Sequence, residues 1–318
     1  MTTTQLAAPA AADVQAPRPT GSGRRGFRRF LPQYLAISPF YLLFAVFGLF
    51  PVLFTLYLAF HRWDGIGAMR AAGLDQFAYL ISDGTFWLSV LNTIEIWVLS
   101  TVPMLALALV LAVALNSAIR FGTFYRIAYF VPNVTSLVAI AIIFGSVFGS
   151  NFGLLNAFLQ WLGLPTVSWL TSEWGIKTAI ATMIVWQWTG YNALIFLAGL
   201  QRIPSDVYEA ARMDGAGVVK IFFRITLPLL RPIILFSLIM TTVGGLQTFT
   251  EPQVLLASAG NLDSGGPGQA GLTVVLYFYQ QAFDNNDFGY GAAIAWGLFV
   301  IIALFSIVNW KLLRRKES

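Results

Sequence analysis

The sequence predicts an all-α integral membrane protein built on six membrane-crossing helices. Three observations predict it. The chain is 57% hydrophobic and only 10% charged, where a soluble domain carries roughly 25% charged residues. Its apolar residues gather into long runs. Sixteen of its 19 Lys and Arg residues fall in alternate segments between those runs, the asymmetry that orients membrane proteins.

The runs can be taken in chain order. At 1.5 Å per helical residue, each covers a hydrocarbon core of about 30 Å. The first lies within Phe30 to Phe60, 31 residues without a charge. That exceeds the roughly 7–15 apolar residues of a cleavable signal peptide. The second spans Phe86 to Asn116, with Glu95 its only charge. The third begins near Ile127 and ends around Gly149 to Gly153. The fourth follows Lys177 and reaches about Leu200. The fifth runs from Pro232 to about Leu256 and contains Glu251. The sixth is Phe288 to Trp310. Between the third and fourth, "LLNAFLQWLGLPTVSW" is apolar but interrupted by Gly163 and Pro165, and reads as an interfacial hairpin. Trp63, in "HRWDG" beside His61, reads as an interfacial anchor at the close of the first span.

Six spans place both termini and the loops after spans two and four on one side. That side holds Arg18 to Arg29, Arg120, Arg126, five basic residues of the loop 201–231, and the tail from Lys311. The opposite side holds Arg62, Arg70 and Lys177. Both termini are therefore expected in the cytoplasm. The basic balance, pI about 9.6, is a topology signal, and nucleic-acid binding is not needed to explain it. Residues 1–30, rich in Ala, Pro, Thr and Arg, are expected to be a disordered basic tail. Residues 31–310 form the membrane domain, and 311–318 a second basic tail.

Several chemistries are excluded or weakened by residue type. There are no cysteines, so disulfides, thiolate metal sites and a cysteine nucleophile are absent. The single histidine, His61, and the scattered Glu95 and Glu251 assemble neither a nucleophile–base pair nor a metal site. No G-x-x-x-x-G-K-[ST] phosphate loop occurs, so any ATP hydrolysis belongs to another chain.

The loop 201–231 carries the most specific signal. "IPSDVYEAARMDGAG" reads as a short helix. Pro204 stops the preceding span, Asp206 is placed to cap with Glu209 three positions on, and Ala210 and Ala211 favour helix. Gly215 and Gly217 suit the left-handed conformations that end one. A second amphipathic piece, "VVKIFFRIT", follows, and Pro228 and Pro232 redirect the chain into span five. Such a helix is too short to hold alone. It is either an ordinary surface helix or a docking element for a cytoplasmic partner.

Glu209-Ala210-Ala211, three residues, Gly215, nine residues, Ile225, one residue, Leu227-Pro228 resembles the EAA motif of ABC-importer permeases at every fixed position. The flanking "DGAG" and "FFRITLPLLRP" are similar to the carbohydrate-uptake branch, the maltose-type permease subunits. The chain lacks the extra N-terminal spans and large extracytoplasmic insertion found in some of them. The resemblance implies a bacterial or archaeal cell membrane. It also implies a coupling helix carrying Glu209, Ala210, Ala211, Arg212, Asp214 and Gly215, docked on an ABC ATPase dimer. ATP and Mg would belong to that dimer, and no cofactor to this chain. A second homologous permease subunit, an extracytoplasmic sugar-binding protein and a sugar substrate are implied with it. The binding protein would touch Asn151 to Glu173 and Asn261 to Asp287.

Polar residues at membrane depth usually face a cavity or the bundle interior. "WQWTGYN" puts Gln187 and Tyr191 four apart on one helical face, with Asn192 beside them. "GGLQTFTE" does the same for Gln247 and Glu251, with Thr248 between. Amide, phenol and indole groups suit sugar hydroxyls and pyranose faces. By comparison with the family, substrate contacts lie at similar distances before and after the EAA loop, and Asn133 is a further candidate. Packing remains the alternative for the aromatics and for Gly244-Gly245, and a solvated helix end for Glu251. Glu95 reads as a structural or interfacial carboxylate. The competing functions are an ion-coupled secondary transporter, a membrane scaffold, and an ABC permease for a polyol or glycerol phosphate.

Overall fold

The computed structural model describes residues 25–116, 122–150, 153–258, 260 and 265–314. Residues 1–24 of the tail expected at 1–30, Arg120, Asn151, Asn261 and residues 315–318 lie outside the described residues. The chain divides into two units, Met1–Phe54 and Thr55–Ser318. In the first, α1 (Arg25–Phe44) runs through Pro32 and Pro39 into a π-turn at Ala45–Leu49. The helix therefore starts five residues earlier than the apolar run. Phe40 is 68% and Phe47 76% exposed. A helix that is apolar all round belongs to a membrane.

The second unit opens with the rest of α2 (Phe50–Leu58) and a departure from pure α structure. β1 (His61–Arg62) pairs antiparallel with β2 (Arg70–Ala71). The turn forms because the Asp64 carboxylate accepts N–H bonds from Ile66 (3.1 Å) and Gly67 (2.8 Å), an Asx-type local bond. Those bonds hold the Asp64 carboxyl below its ordinary pKa. α3 (Asp75–Ser82) leads to α4 (Gly84–Asn116), and α8 (Glu173–Leu200) packs along it. At one end Ala108 and Ala112 of α4 meet Ala193, Phe196, Leu197 and Leu200 of α8. Small residues let the two backbones approach. Towards the other end Lys177 of α8 forms an ion pair with Glu95 of α4, and its ammonium lies 5.4 Å from the Trp174 ring centre. Glu95 is thus a structural partner, and Lys177 is a buried residue of α8, which starts before it at Glu173.

Span three is bent, contrary to the single helix expected. α5 (Gly122–Val134) and α6 (Leu137–Val147) meet at 93°. The bend falls at Thr135-Ser136, just after Pro132. The Thr135 hydroxyl turns back to donate to the Val131 carbonyl at 2.9 Å, the local bonding by which such residues compete with helix. α5 crosses α8 where Gly190 lacks a side chain: a Cβ there would stand 1.7 Å from the Tyr129 carbonyl oxygen. After α6, α7 (Leu154–Trp161) begins the apolar hairpin. Asn156 holds it by donating to Ser150 and Val167 carbonyls and accepting from Val167 N–H and the Trp169 indole. Among the described residues, five helices are long and apolar enough to cross a membrane, or six if α5 and α6 count as one span.

Span five is displaced at both ends. Beyond α9 (Ser205–Met213), helix starts at Val218, not Pro232. α10 (Val218–Ile221) passes through a π-turn at Phe222–Thr226 into α11 (Leu227–Gly245). Pro228 has no N–H, and its ring would clash with the carbonyl four residues back in an α-helix. The wider turn avoids this, with the Leu227 N–H bonded to the Phe222 carbonyl five residues back. At the far end the helix stops at Gly244-Gly245. Residues 246–249 are non-helical, and α12 (Thr250–Ser258) is a separate helix packed on α6.

The glycine-rich segment 265–273 is buried at both ends, with Gly268 exposed between them. A Cβ on Gly266 would come 2.5 Å from Ile176, and one on Gly268 2.2 Å from the Glu173 carboxylate. The segment therefore lies against the start of α8. α13 (Val274–Tyr279) and α14 (Phe288–Arg314) complete the chain. Asp83, just ahead of α4, receives the Tyr277 hydroxyl at 2.6 Å and that of Tyr290, and so ties α4, α13 and α14 together.

Candidate functional site

A cavity of about 510 Å³ lies between α4, α8, α11 and the break after α11. Its size suits a small-molecule site. α8 contributes a stripe of Ile184, Trp188, Tyr191, Asn192 and Ile195, three and four residues apart as one helical face requires. α4 contributes Ser100, Thr101 and Met104, and α11 Ser237, Met240, Thr241 and Gly244. The break and the start of α12 add Gln247, Thr248, Phe249, Thr250 and Glu251. Irregular backbone at membrane depth is tolerated where it is buried in protein or lines a cavity, and here it does the latter.

The polar groups are held in different ways. Asn192, 2% exposed, donates to the Trp188 carbonyl at 3.0 Å and to the Met104 sulfur at 3.8 Å, and accepts from the Ser237 hydroxyl. It is locked. Thr248 donates to the Gly245 carbonyl at 2.8 Å. Glu251, buried, sits in the first turn of α12, where the helix dipole favours a carboxylate. Gln247 lines the cavity and is exposed, its N–H bonded to the Gly244 carbonyl at 3.1 Å. Trp188 and Tyr191 stand edge to face with ring centres 5.8 Å apart. The walls thus combine aromatic faces, hydroxyls, amides and one carboxylate, a set able to bind a polyhydroxylated solute. On one flank Phe236 and Met240 are 54% and 56% exposed.

Tyr191, Asn192, Gln247, Thr248 and Glu251 therefore come together in one cavity, while Gln187 and Asn133 do not line it. Gln187 is 3% exposed, and its Oε1 is buried without a hydrogen bond. One helix position, about 100°, separates it from Trp188, which does face the cavity. Asn133 lies at the end of α5 with a buried, unbonded Nδ2. Gln247 and Glu251 do not share a helical face, because Gln247 lies in the non-helical break and Glu251 in α12. The Gly pair divides its roles. A Cβ on Gly245 would stand 2.4 Å from the Trp97 ring, and one on Gly244 would meet nothing within 4 Å. Ser100-Thr101-Met104 and Ser237-Thr241-Gly244 are missed by a search for amides and aromatics alone. Their signal is present in the sequence, as small polar residues at helical spacing inside apolar runs.

The loop helix α9 is nine residues, about 14 Å at 1.5 Å per residue. Its N-cap is Pro204, with no side-chain cap bond, so Asp206 does not cap; it sits inside the first turn. At the other end Gly215 has φ +72°. The Gly215 N–H bonds to Arg212 O and the Ala216 N–H to Ala211 O, each at 3.0 Å, the paired bonds of a Schellman ending. Gly217 is extended, φ −69° and ψ 163°, and leads into α10. Ala211 is buried, while Glu209, Ala210, Arg212, Asp214 and Gly215 are exposed. The Thr226 hydroxyl reaches the Tyr208 hydroxyl at 3.5 Å, joining α9 to the helix that leads to the cavity. Among the described residues no three His, Asp or Glu side chains are grouped as a metal site.

The same chain is similar to known transport proteins along most of its length. It is 35% identical over 303 residues to the arabinooligosaccharides transport system permease protein AraP of Bacillus subtilis, covering 93% of this chain and 94% of that one. It is 34% identical over 288 residues to the lactose transport system permease protein LacF of Rhizobium radiobacter, covering 89% and 94%. It is 32% identical over 286 residues to the trehalose/maltose transport system permease protein MalF of Thermococcus litoralis, covering 90% and 94%. Its fold matches a chain of a bacterial alginate ABC transporter, solved in complex with an alginate pentasaccharide-bound periplasmic protein. That match has a TM-score of 0.76 and 22% identity, covering 91% of this chain and 96% of that one. Residues 77–316 match the family pattern described as binding-protein-dependent transport system inner membrane component. With its broken helices, its polar cavity and a match over three quarters of its length, the chain belongs to the family of binding-protein-dependent transport system inner membrane components.

Proposed function

We propose that this chain is the permease subunit of an ABC importer for a neutral sugar, with its termini and α9 in the cytoplasm of a bacterial or archaeal cell. One observation supports this reading most. α11, about 28 Å long by its 19 residues, continues from α10 and the π-turn that follow α9 and ends at the broken segment that lines the cavity. A push on α9 from an ATPase dimer would pass through the turn 214–217, α10 and the π-turn, and through the Thr226–Tyr208 hydroxyl contact, into α11 and so to Gln247, Thr248 and Glu251. The relatives above are named for arabinooligosaccharides, lactose and trehalose or maltose, and the hydroxyl, amide and aromatic lining suits such solutes. Glu251, buried at the cavity wall, opposes an anionic one.

In this reading a second, homologous permease covers the flank at Phe236 and Met240. A sugar-binding protein docks outside, on the loops around 151–173 and 261–287. ATP and Mg, held by the ATPase dimer, close that dimer and draw the coupling helices together. The cavity then opens outward, takes the sugar, and resets inward after hydrolysis. This chain itself is a transport subunit and performs no bond chemistry.

The test is reconstitution with the ATPase chains, the second permease and the binding protein in vesicles, using labelled maltose and arabinooligosaccharides. ATP-dependent uptake is expected. Gly244→Leu and Gln247→Ala are expected to reduce it while the ATPase chains still co-purify, and Gln187→Ala is expected to act less than Gln247→Ala. Uptake driven by an ion gradient with no ATPase chain present would overturn the importer reading.

A further inference from the structure

In the break between α11 and α12 lies a backbone carbonyl that α-helix could not satisfy: the donor four residues on from Thr248 would be Pro252, which has no N–H. The neighbouring Phe249 carbonyl does receive its donor four residues on, from the Gln253 N–H at 3.1 Å, so it is Pro252 that leaves Thr248 O without one. An unmet carbonyl at membrane depth is costly. The donor that meets it comes from 25 residues further along the chain: the Thr273 hydroxyl, 2.8 Å away. Thr273 is fully buried, and its oxygen also accepts the Leu276 N–H at 3.4 Å, at the start of α13.

Thr273 is itself anchored on both sides. The next residue, Val274, donates its N–H to the Thr93 hydroxyl at 3.0 Å, and Thr93 donates to the Ser89 carbonyl at 2.7 Å. Asn92, the neighbour of Thr93 on α4, donates to the carbonyls of Gln269 (2.8 Å) and Leu272 (3.2 Å). One turn of α4 therefore grips the segment at residues 269, 272 and 274. From there the Thr273 hydroxyl reaches across to the cavity wall.

We infer that Thr273 is a positioning residue for the solute cavity: its hydroxyl fixes the Thr248 carbonyl, and with it the placement of Gln247, Thr248 and Glu251. This rests on the reading of the cavity as the solute path. The same bond makes the segment 265–273 a lever, because a displacement of that segment moves the cavity wall directly. The hydroxyl acts through backbone and touches no solute itself.

The experiment measures placement rather than transport. The chain contains no cysteine, so a single cysteine reports without background. Gln247→Cys sits on the break. Met240→Cys lies on the same wall but within α11, upstream of the break, and is the control. Both are made in the full chain in native membranes, and the rate of labelling by N-ethylmaleimide is followed.

Adding Thr273→Val, which removes the hydroxyl at nearly constant shape, is expected to raise the rate at position 247 about tenfold, the equivalent of ~1.4 kcal/mol of lost restraint. The rate at position 240 should not change. Thr273→Ser, which keeps the hydroxyl, is expected to restore the original rate. Unchanged labelling at 247 in Thr273→Val would overturn the inference. So would equal acceleration at both positions, which would show general loosening instead of positioning. Neither result depends on which solute is carried or on whether uptake uses ATP.

Discussion

Replacing Gly215 isolates backbone conformation from side-chain contact at the end of α9. The residue sits at φ +72°, and a Cβ built there meets nothing within 4 Å. Any penalty for a side chain therefore comes from the left-handed backbone alone, about 1–2 kcal/mol for an L-residue. Asn tolerates this region better than most residues, and a β-branched residue tolerates it least. If the Schellman bonds at Arg212 and Ala211 are lost, the helix end and the exposed Glu209, Ala210 and Arg212 lose their fixed relation. A penalty of 1–2 kcal/mol lowers the population of this helix ending by roughly 5- to 30-fold. Retention of the ATPase chains on tagged permease, and ATPase turnover of the purified complex, should fall in the order Gly, Asn, Ala, Val. Membrane insertion should be equal in all four. Full assembly and turnover in Gly215→Val would refute the reasoning. Asn performing as badly as Val would show that bulk at an interface, not φ, decides.

Further predictions concern the ends of α4. Lys177→Met leaves Glu95 part-buried without its cation, and removal of one partner from a buried pair is costly. The thermal midpoint of the detergent-purified chain should fall more for Lys177→Met than for the Glu95→Gln, Lys177→Met double variant. A double variant as unstable as the single one would contradict the pairing. At Asp83, burial pushes the carboxyl pKa up, but the Tyr277 and Tyr290 hydroxyls and the Thr85 and Phe86 N–H groups outweigh it, so the net value is lowered. A lowered folded value means that stabilisation is present above the unfolded pKa, about 3.9, and is lost as pH falls through the folded one. Thermal stability should therefore drop on acidification below about pH 4, and Asp83→Asn should flatten that drop. An unchanged pH profile in the variant would place the acid-sensitive group elsewhere.

Hydropathy and charge are enough to locate the apolar spans, because both are summed over twenty or more residues. The end of α9 is legible for a different reason: Gly215 is one of few residues that adopt its φ at no cost. The two breaks are not legible. Thr135-Ser136 and residues 246–249 sit inside uncharged apolar sequence, where a bent span and a straight one have the same hydropathy. Their stability comes from distant groups, such as Thr273 at Thr248 and the α6–α12 contact. The same limit explains Gln187. Helical spacing identifies which residues share a face, but only the packing of α5 on α8 at Gly190 decides which face meets the cavity. Tyr191 and Asn192 fall on that face, and Gln187 does not.

The π-turn at Phe222–Thr226 inserts the equivalent of one extra residue into an otherwise α-helical path. Each helical residue turns the chain by about 100°, so this turn sets the angular phase between the α9–α10 segment and α11. Tyr208, Val218 and Val219 lie on one side of it; Ser237, Thr241 and Gly244 lie on the other. Deleting a single residue there would leave both segments intact and still helical, yet rotate the α9 loop by more than a quarter turn relative to the cavity. The phase at which the two ends of span five face their neighbours is therefore written in five residues that do not line the cavity.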